Sequence, residues 1–314
     1  MFAYIVRRIL ATIPVMGVVA LFVFSLLYFS PGDPAAIIAG DLATVADIER
    51  IREQLGLNEP FLVRFSKWLF AILQGDLGNS IFSSLPVSTL IGQRLEATIS
   101  LSLTTIVLSV AVAIPLGVLA AARAGGWIDR LVMMFAVLGF SVPVFVLGYV
   151  LIFFFSLELE WLPVQGFVSI TEGFWPFLRQ LILPSVALGT IYIALIARMT
   201  RASMLDVLSQ DYIRTANAKG LREQKVLTVH ALRNAAVPIV TVVGIGVALL
   251  IGGVVVTESV FAIPGLGRMT VDAILRRDYP IIQGVMVVFA AVYVLINLVI
   301  DITYSFIDPR IRYS

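Results

Sequence analysis

The chain has no cysteine among its 314 residues, which excludes disulfides and thiolate metal centres. It has one histidine, His230, so a metal site would have to rest on carboxylates, and none is expected. Charged residues make up 13% of the sequence, against roughly 25% in soluble domains. The basic pI near 9.0 comes from a net charge of only +2 and gives no ground for a nucleic-acid partner. No G-x-x-x-x-G-K-[ST] run is present, so the chain carries no phosphate cradle of its own. A nucleophile elbow and a paired-histidine zinc helix are missing too. The expectation is a protein without catalytic, cofactor-binding or metal-binding residues.

What the chain has is apolar length. Hydrophobic residues reach 60% and the mean hydropathy is +1.00. Windows free of charge run over 9–32, 97–122, 131–157, 180–197, 234–257 and 279–300. Each holds at least the roughly 18 residues that cross the hydrocarbon core. Backbone in lipid must bond within its own segment, so these runs predict helices. The expected class is an all-α integral membrane protein with six transmembrane helices. The first run exceeds the roughly 7–15 apolar residues of a signal peptide and is expected to stay as a span.

Basic residues orient it. With the N-terminus inside, the cytoplasmic side holds thirteen: Arg7, Arg8, Arg123, Arg130, Arg198, Arg201, Arg214, Lys219, Arg222, Lys225, Arg233, Arg310 and Arg312. The two shorter outside loops hold four, Arg179, Arg268, Arg276 and Arg277. Both termini and the 198–233 loop are therefore expected in the cytoplasm. The division expected along the chain is residues 1–32 (cytoplasmic end and first span), 33–96 (a helical outside loop) and 97–314 (a five-helix core). In the outside loop, Thr44 and Asp47 have the spacing of a capping box before Val45, Ile48, Ile51 and Leu55, and Pro60 opens a second amphipathic stretch ending near Gly75. Trp161, Trp175 and Phe177 suit an interfacial aromatic belt.

Small residues recur every four positions at Ala113, Gly117 and Ala121, and again at Gly244, Ala248 and Gly252. Such stripes let helices approach closely in lipid, within the chain or across to a partner. Pro115 and Pro143 are expected to kink their spans. Two acids, Glu258 and Asp301, sit at span ends, where paired or solvated roles are expected. A proton-driven carrier needs a carboxylate near the midplane, and the sequence offers none there.

The remaining feature is DYIRTANAKGL, residues 211–221, lying between two apolar runs. Residues 205–219 have the makings of a short helix, with Gly220 as a left-handed stop. Ala216 and Gly220, four apart, define a face without bulk that a partner can approach. Arg214, Lys219, Arg222 and Lys225 stand at its rim. A plain solvated basic loop explains the charges and leaves the small face unexplained.

YIRTANAKGL followed by HALRNAAVPIVT resembles the cytoplasmic "EAA" loop of bacterial ABC importer permeases. The form is that of the dipeptide, oligopeptide and nickel (also glutathione) branch, the DppB/OppB-like type. SPGDP (30–34), LGLNEP (55–60), GDLGNS (75–80), IPGLGR (263–268), RRDYPIIQG (276–284) and DPRIRY (308–313) resemble further signatures of that branch, in order along the chain. The resemblance implies the type I ABC importer permease fold, with a MetI-like transmembrane domain and a coupling loop at about 202–235. It implies an inner-membrane subunit that forms half of a translocation pathway. The implied partners are a second homologous permease, two ABC ATPase subunits that bind the ATP and magnesium, an extracytoplasmic substrate-binding protein and membrane lipid. Peptide is the expected solute, with glutathione, nickel or another small solute as alternatives, and an ion-gradient-driven carrier as the rival class. The coupling role then falls on Asp211, Tyr212, Arg214, Thr215, Ala216, Asn217, Lys219, Gly220 and Leu221. Arg214 stands where the general motif has Glu, Asn217 where this branch often has Arg, and the loop's proline comes at Pro238. These departures touch any specific ion pair with the ATPase.

Overall fold

The computed structural model describes residues 2–29, 34–39, 43–54 and 56–307. Ser30–Asp33, Leu55 and Asp308–Tyr313, which carry parts of three of the branch-like motifs, lie outside the described residues, as does the side chain of Asp301. The order is helical throughout: α1 (Phe2–Tyr28), α2 (Pro34–Ala39), α3 (Val45–Gln54), α4 (Phe61–Leu73), α5 (Val87–Ala122), α6 (Trp127–Ser141) and α7 (Val144–Leu151). After it come α8 (Phe174–Leu208), α9 (Asp211–Ala218), α10 (Glu223–Lys225), α11 (Leu232–Asn234), α12 (Ala236–Val260), α13 (Leu266–Arg276) and α14 (Tyr279–Ile307). Wider π turns continue α7 through Glu158 and join α10 to α11. Among the described residues, the extended pairing is a single bridge between Asn79 and Pro86.

Among the described residues, four helices, α5, α8, α12 and α14, are long and apolar enough to cross a membrane. The fifth expected span, 131–157, is broken: α6 and α7 meet at 104°. The cause is Pro143, which has no amide to donate and forces Val142 before it into extended geometry, φ −90° and ψ 121°. The proline does more than kink the span. Pro115 and Pro184, by contrast, stay inside α5 and α8. In α1 the described apolar stretch is Leu10–Ser25, shorter than the others. Six apolar segments are counted once the bent pair is taken as one and α1 is added.

The chain divides into two compact units, 1–95 with 269–294, and 96–268 with 295–314. The second is organised around α8, whose apolar window is 67% buried against 28–33% for α5, α12 and α14. Without a hydrophobic drive between helices in lipid, close packing needs small residues, and α8 receives them from its neighbours. A Cβ on Gly117 of α5 would lie 2.5 Å from Thr200 Cβ, and one on Gly139 of α6 would lie 3.1 Å from Ala194 Cβ. Hydroxyls add directional contacts: Thr104 and Ser185 are 2.8 Å apart, and Ser109 donates to the Gly189 carbonyl at 3.4 Å. Phe177, expected in the aromatic belt, is instead buried in this core, whereas Trp161 and Trp175 are exposed as expected. The difference lies in its place one turn into α8, where the helix faces inward.

The first unit shows why two of the motifs exist. Gly75 and Gly78 take φ of 84° and 78°, and Asp76 Oδ1 accepts from the Gly78 amide at 2.8 Å, turning the chain tightly after α4. The turn delivers Ser80 and the Ile81 amide to buried Asp278, at 2.6 and 3.2 Å. GDLGNS and RRDYP thus form one joint. The capping box is present: Asp47 accepts from the Thr44 amide and hydroxyl, and Thr44 Oγ1 accepts from the Asp47 amide. These bonds hold the Asp47 carboxyl below its ordinary value. On α4, Phe61, Phe65 and Trp68 close around Phe24 of α1 at ring distances of 5.3–5.5 Å.

Candidate functional site

The segment that carries the proposed coupling role starts later than its sequence suggests. Residues 205–208 belong to α8, which runs on to Leu208, and the short helix is α9, Asp211–Ala218. The break falls at Ser209–Gln210, where Gln210 turns extended at ψ 150°. Asp211 then sits in the first turn of α9, where its charge suits the helix dipole. Arg214 lies 3.3 Å from Asp211, but both are largely exposed, so the pair adds little.

The other end closes as the glycine implies. Gly220 has φ +74°; its amide bonds to the Asn217 carbonyl at 2.9 Å, and the Leu221 amide reaches back to the Ala216 carbonyl at 3.4 Å. This pair of bonds is a Schellman stop, which calls for a left-handed residue and therefore glycine. Leu221 folds down as the apolar contact that accompanies it.

The two small residues do not share a partner-facing surface. Ala216 is buried with Ile213 in a cluster that includes Ala121, Met204, Val226, Ala231 and Ile239. Gly220 faces open space. Ala216 is small because α9 lies close on the ends of α5, α8 and the π turns after α10. The face left outward consists of Asp211, Tyr212, Arg214, Thr215, Asn217, Ala218 and Lys219. Sequence alone missed this because positions 213 and 216, three apart, look like any pair on a short polar helix.

Nearby, Asp129 at the start of α6 binds Arg201 of α8 through both carboxylate oxygens, with Nη2 to Oδ2 at 2.7 Å. Its Oδ2 also accepts from the Gly125 amide at 2.8 Å. Asp129 is buried and Arg201 only a quarter exposed, so the pair ties the 123–126 turn to α8 ten residues before α9. Arg201 had counted in the sequence only as a basic residue. Its partner 72 positions away has no local signature.

The helix-packing stripes divide. Ala113, Gly117 and Ala121 are all buried within the chain. Gly244 packs on Ile300, Ala248 is half-buried, and Gly252 is exposed with open space beyond. On α12 it is Gly253, not Gly252, that makes the close approach, to Leu188. Glu258 is fully buried and bonded at the other end of α12. It accepts from Thr98 Oγ1 at 2.5 Å and from the Arg268 amide at 2.9 Å. The same Thr98 oxygen accepts from the Leu266 amide at 2.8 Å. A Cβ on Gly265 would collide with this carboxylate, and Gly267 lies against it as well. The glycines of IPGLG are the room that a buried acid requires.

The family model described as "binding-protein-dependent transport system inner membrane component" matches residues 113–313, and its N-terminal counterpart matches 1–102. The chain belongs to this family of importer permeases, as a multi-pass inner-membrane protein of the dipeptide and oligopeptide type. It is 56% identical over 310 residues, 99% of both chains, to a probable peptide ABC transporter permease of Sinorhizobium fredii. It is 47% identical over the full length of both chains to a putative peptide transport system permease of Brucella abortus. Identity to the glutathione transport system permease of Escherichia coli is 45%, again over both full lengths. The fold matches the inward-facing MetNI methionine ABC transporter with a TM-score of 0.57 at 18% identity, covering 70% of this chain and 96% of the other.

Proposed function

We propose that the chain provides half of a path for peptides across the inner membrane, driven by ATP that separate subunits bind and hydrolyse. The observation that carries this reading is α9: a short helix with a polar outward face, seated through Ile213 and Ala216 on the ends of membrane helices. A helix fixed in that way passes a push from a partner into α5, α8 and α12 without bending first. The relatives named for peptide transport support the solute class. In this reading the termini and α9 face the cytoplasm, as the excess of basic residues there favours. The partners are a second permease, two ATPases carrying ATP and magnesium, and an external binding protein. In this reading the hydrolysis of ATP falls to the ATPase subunits and not to this chain.

Reconstitution tests it. In proteoliposomes with the ATPases and the binding protein, uptake of a labelled peptide should need ATP and persist when the proton gradient is collapsed. Uptake by this chain alone, driven by an ion gradient, would overturn the proposal. Glutathione is the second reading, favoured by the 45% identity to a glutathione permease. Competition between glutathione and a tripeptide for uptake decides between the two.

A further inference from the structure

We propose that the cavity at the Tyr28 end of α1 holds the phosphodiester headgroup of one membrane glycerophospholipid. The cavity measures about 460 Å³ and lies wholly within the first compact unit. Its walls include Phe24, Tyr28, Trp68 and Tyr279, with Arg64 and Lys67 among them. The inference rests on the chain being a membrane protein and not on which solute it carries.

Three observations point to this occupant. The first is unspent polar capacity facing an apolar space. The guanidinium of Arg64 is held 5.2 Å over the Tyr28 ring, and one of its amines reaches the Leu57 carbonyl at 3.5 Å. A guanidinium has five N–H donors, so most have no acceptor among the described residues. Tyr279 lines the same cavity at 9% exposure, with its hydroxyl sealed off and without a partner among the described residues. An oxyanion with ester oxygens satisfies the unpaired donors of the Arg64 guanidinium. The second is net charge. Lys67 pairs with Glu59 at 2.5 Å, leaving Arg64 as the uncompensated cation among the described lining residues, and a planar fork matches phosphate oxygens well.

The third is position, and it separates a lipid from a soluble anion. The cavity sits beside the apolar stretch Leu10–Ser25, whose outward side exposes Val18, Leu21 and Phe22. On α4, the side opposite the α1 contact exposes Leu62, Phe70 and Leu73. A helix apolar on that side and bearing Lys67 fits the plane of the membrane interface. Tyr28 and Trp68 are the residue types that settle at headgroup depth. An acyl chain leaving the cavity therefore has apolar surface to follow, which a free phosphate or a peptide carboxylate does not use.

The test is native mass spectrometry of the complete transporter in mild detergent, titrated with dioleoyl phosphatidylglycerol. Wild type should retain one tightly bound lipid. Arg64→Gln should weaken that binding about tenfold or more, the loss expected for a charge-assisted hydrogen bond, and Arg64→Lys should recover part of it. Tyr279→Phe removes a hydroxyl sealed away from the cavity and without a partner among the described residues, so it should fold normally and retain the lipid. Arg50→Gln, on an exposed face of α3, should change nothing. Equal retention by wild type and Arg64→Gln would overturn the proposal. So would displacement of the lipid by sn-glycerol 3-phosphate, which makes the cavity a free-anion site, or by trialanine, which makes it a solute site. ATP-driven peptide uptake, measured in parallel, reports on the transport reading separately.

Discussion

The hydroxyl of Thr98 donates to Glu258 Oε1 at 2.5 Å while its oxygen accepts from the Leu266 amide at 2.8 Å. One side chain on α5 thereby joins the end of α12 to the start of α13. Glu258 Oε2 takes the Arg268 amide, so both oxygens of this side chain serve as acceptors.

Glu258→Ala should therefore leave the Thr98 hydroxyl and the Arg268 amide unsatisfied in a buried site. The expected loss is about 3 kcal/mol or more. Gly265→Ala should destabilise in the same direction by pushing the carboxylate out of place. Glu258→Gln keeps one acceptor and should lie between them and wild type. Thermal unfolding of the purified protein in detergent ranks the three, and a Glu258→Ala variant as stable as wild type contradicts the assignment.

The two glycine stripes should respond differently. Gly117→Ala places a methyl 2.5 Å from Thr200 Cβ and should cost about 1–3 kcal/mol through overpacking. Gly252→Ala meets nothing within 4 Å, and alanine favours a helix by up to about 1 kcal/mol. Unfolding of the isolated subunit should show a loss for the first and no loss for the second.

Asp129 and Arg201 should behave as a unit. Arg201→Gln or Asp129→Asn alone should cost about 2 kcal/mol, below the usual 3–5 for a fully buried pair because Arg201 is partly exposed. A double-mutant cycle should then return a coupling energy above about 1 kcal/mol. Additive losses mean that the two side chains do not act together.

Gly220 and Ala216 make a third contrast. Nothing lies near Gly220, so Gly220→Val costs only the left-handed penalty of about 1–2 kcal/mol and should unravel the stop after α9. Ala216→Trp forces an indole into the cluster under α9 and should lower folded abundance as well as activity. Membrane abundance by immunoblot, normalised to uptake, separates a bent stop from a collapsed seat.

Much of this was legible in the sequence. The absence of charge over long runs located the apolar helices, the spacing of Thr44 and Asp47 gave the cap of α3, and Gly220 gave the stop of α9. The hidden part has a common cause: it depends on partners far along the chain. Phe177 looked like a belt residue because an aromatic near a span end has the same signature whichever way its helix faces. Ala216 looked outward-facing until α5 and the π turns were placed beneath it. The 104° break at Pro143 was readable as a bend but not in its size, because α8 and α12 decide where the second half rests. Glu258 was read as a span-end acid and Arg201 as one more cytoplasmic basic residue, since Thr98 and Asp129 lie 160 and 72 positions away.

The central claim is that the outward face of α9 receives the ATPase. Thr215 lies on that face and its hydroxyl bonds back to the Asp211 carbonyl of the same helix, at 3.1 Å, so Thr215→Trp adds bulk outward while the seat made by Ile213 and Ala216 stays intact. The direct measurement is ATPase co-purification together with ATP-driven peptide uptake for this variant, at matched membrane abundance. The account predicts that both fall sharply while the thermal stability of the permease is unchanged. Wild-type uptake with a full complement of bound ATPase would contradict it and leave α9 as a solvated connector.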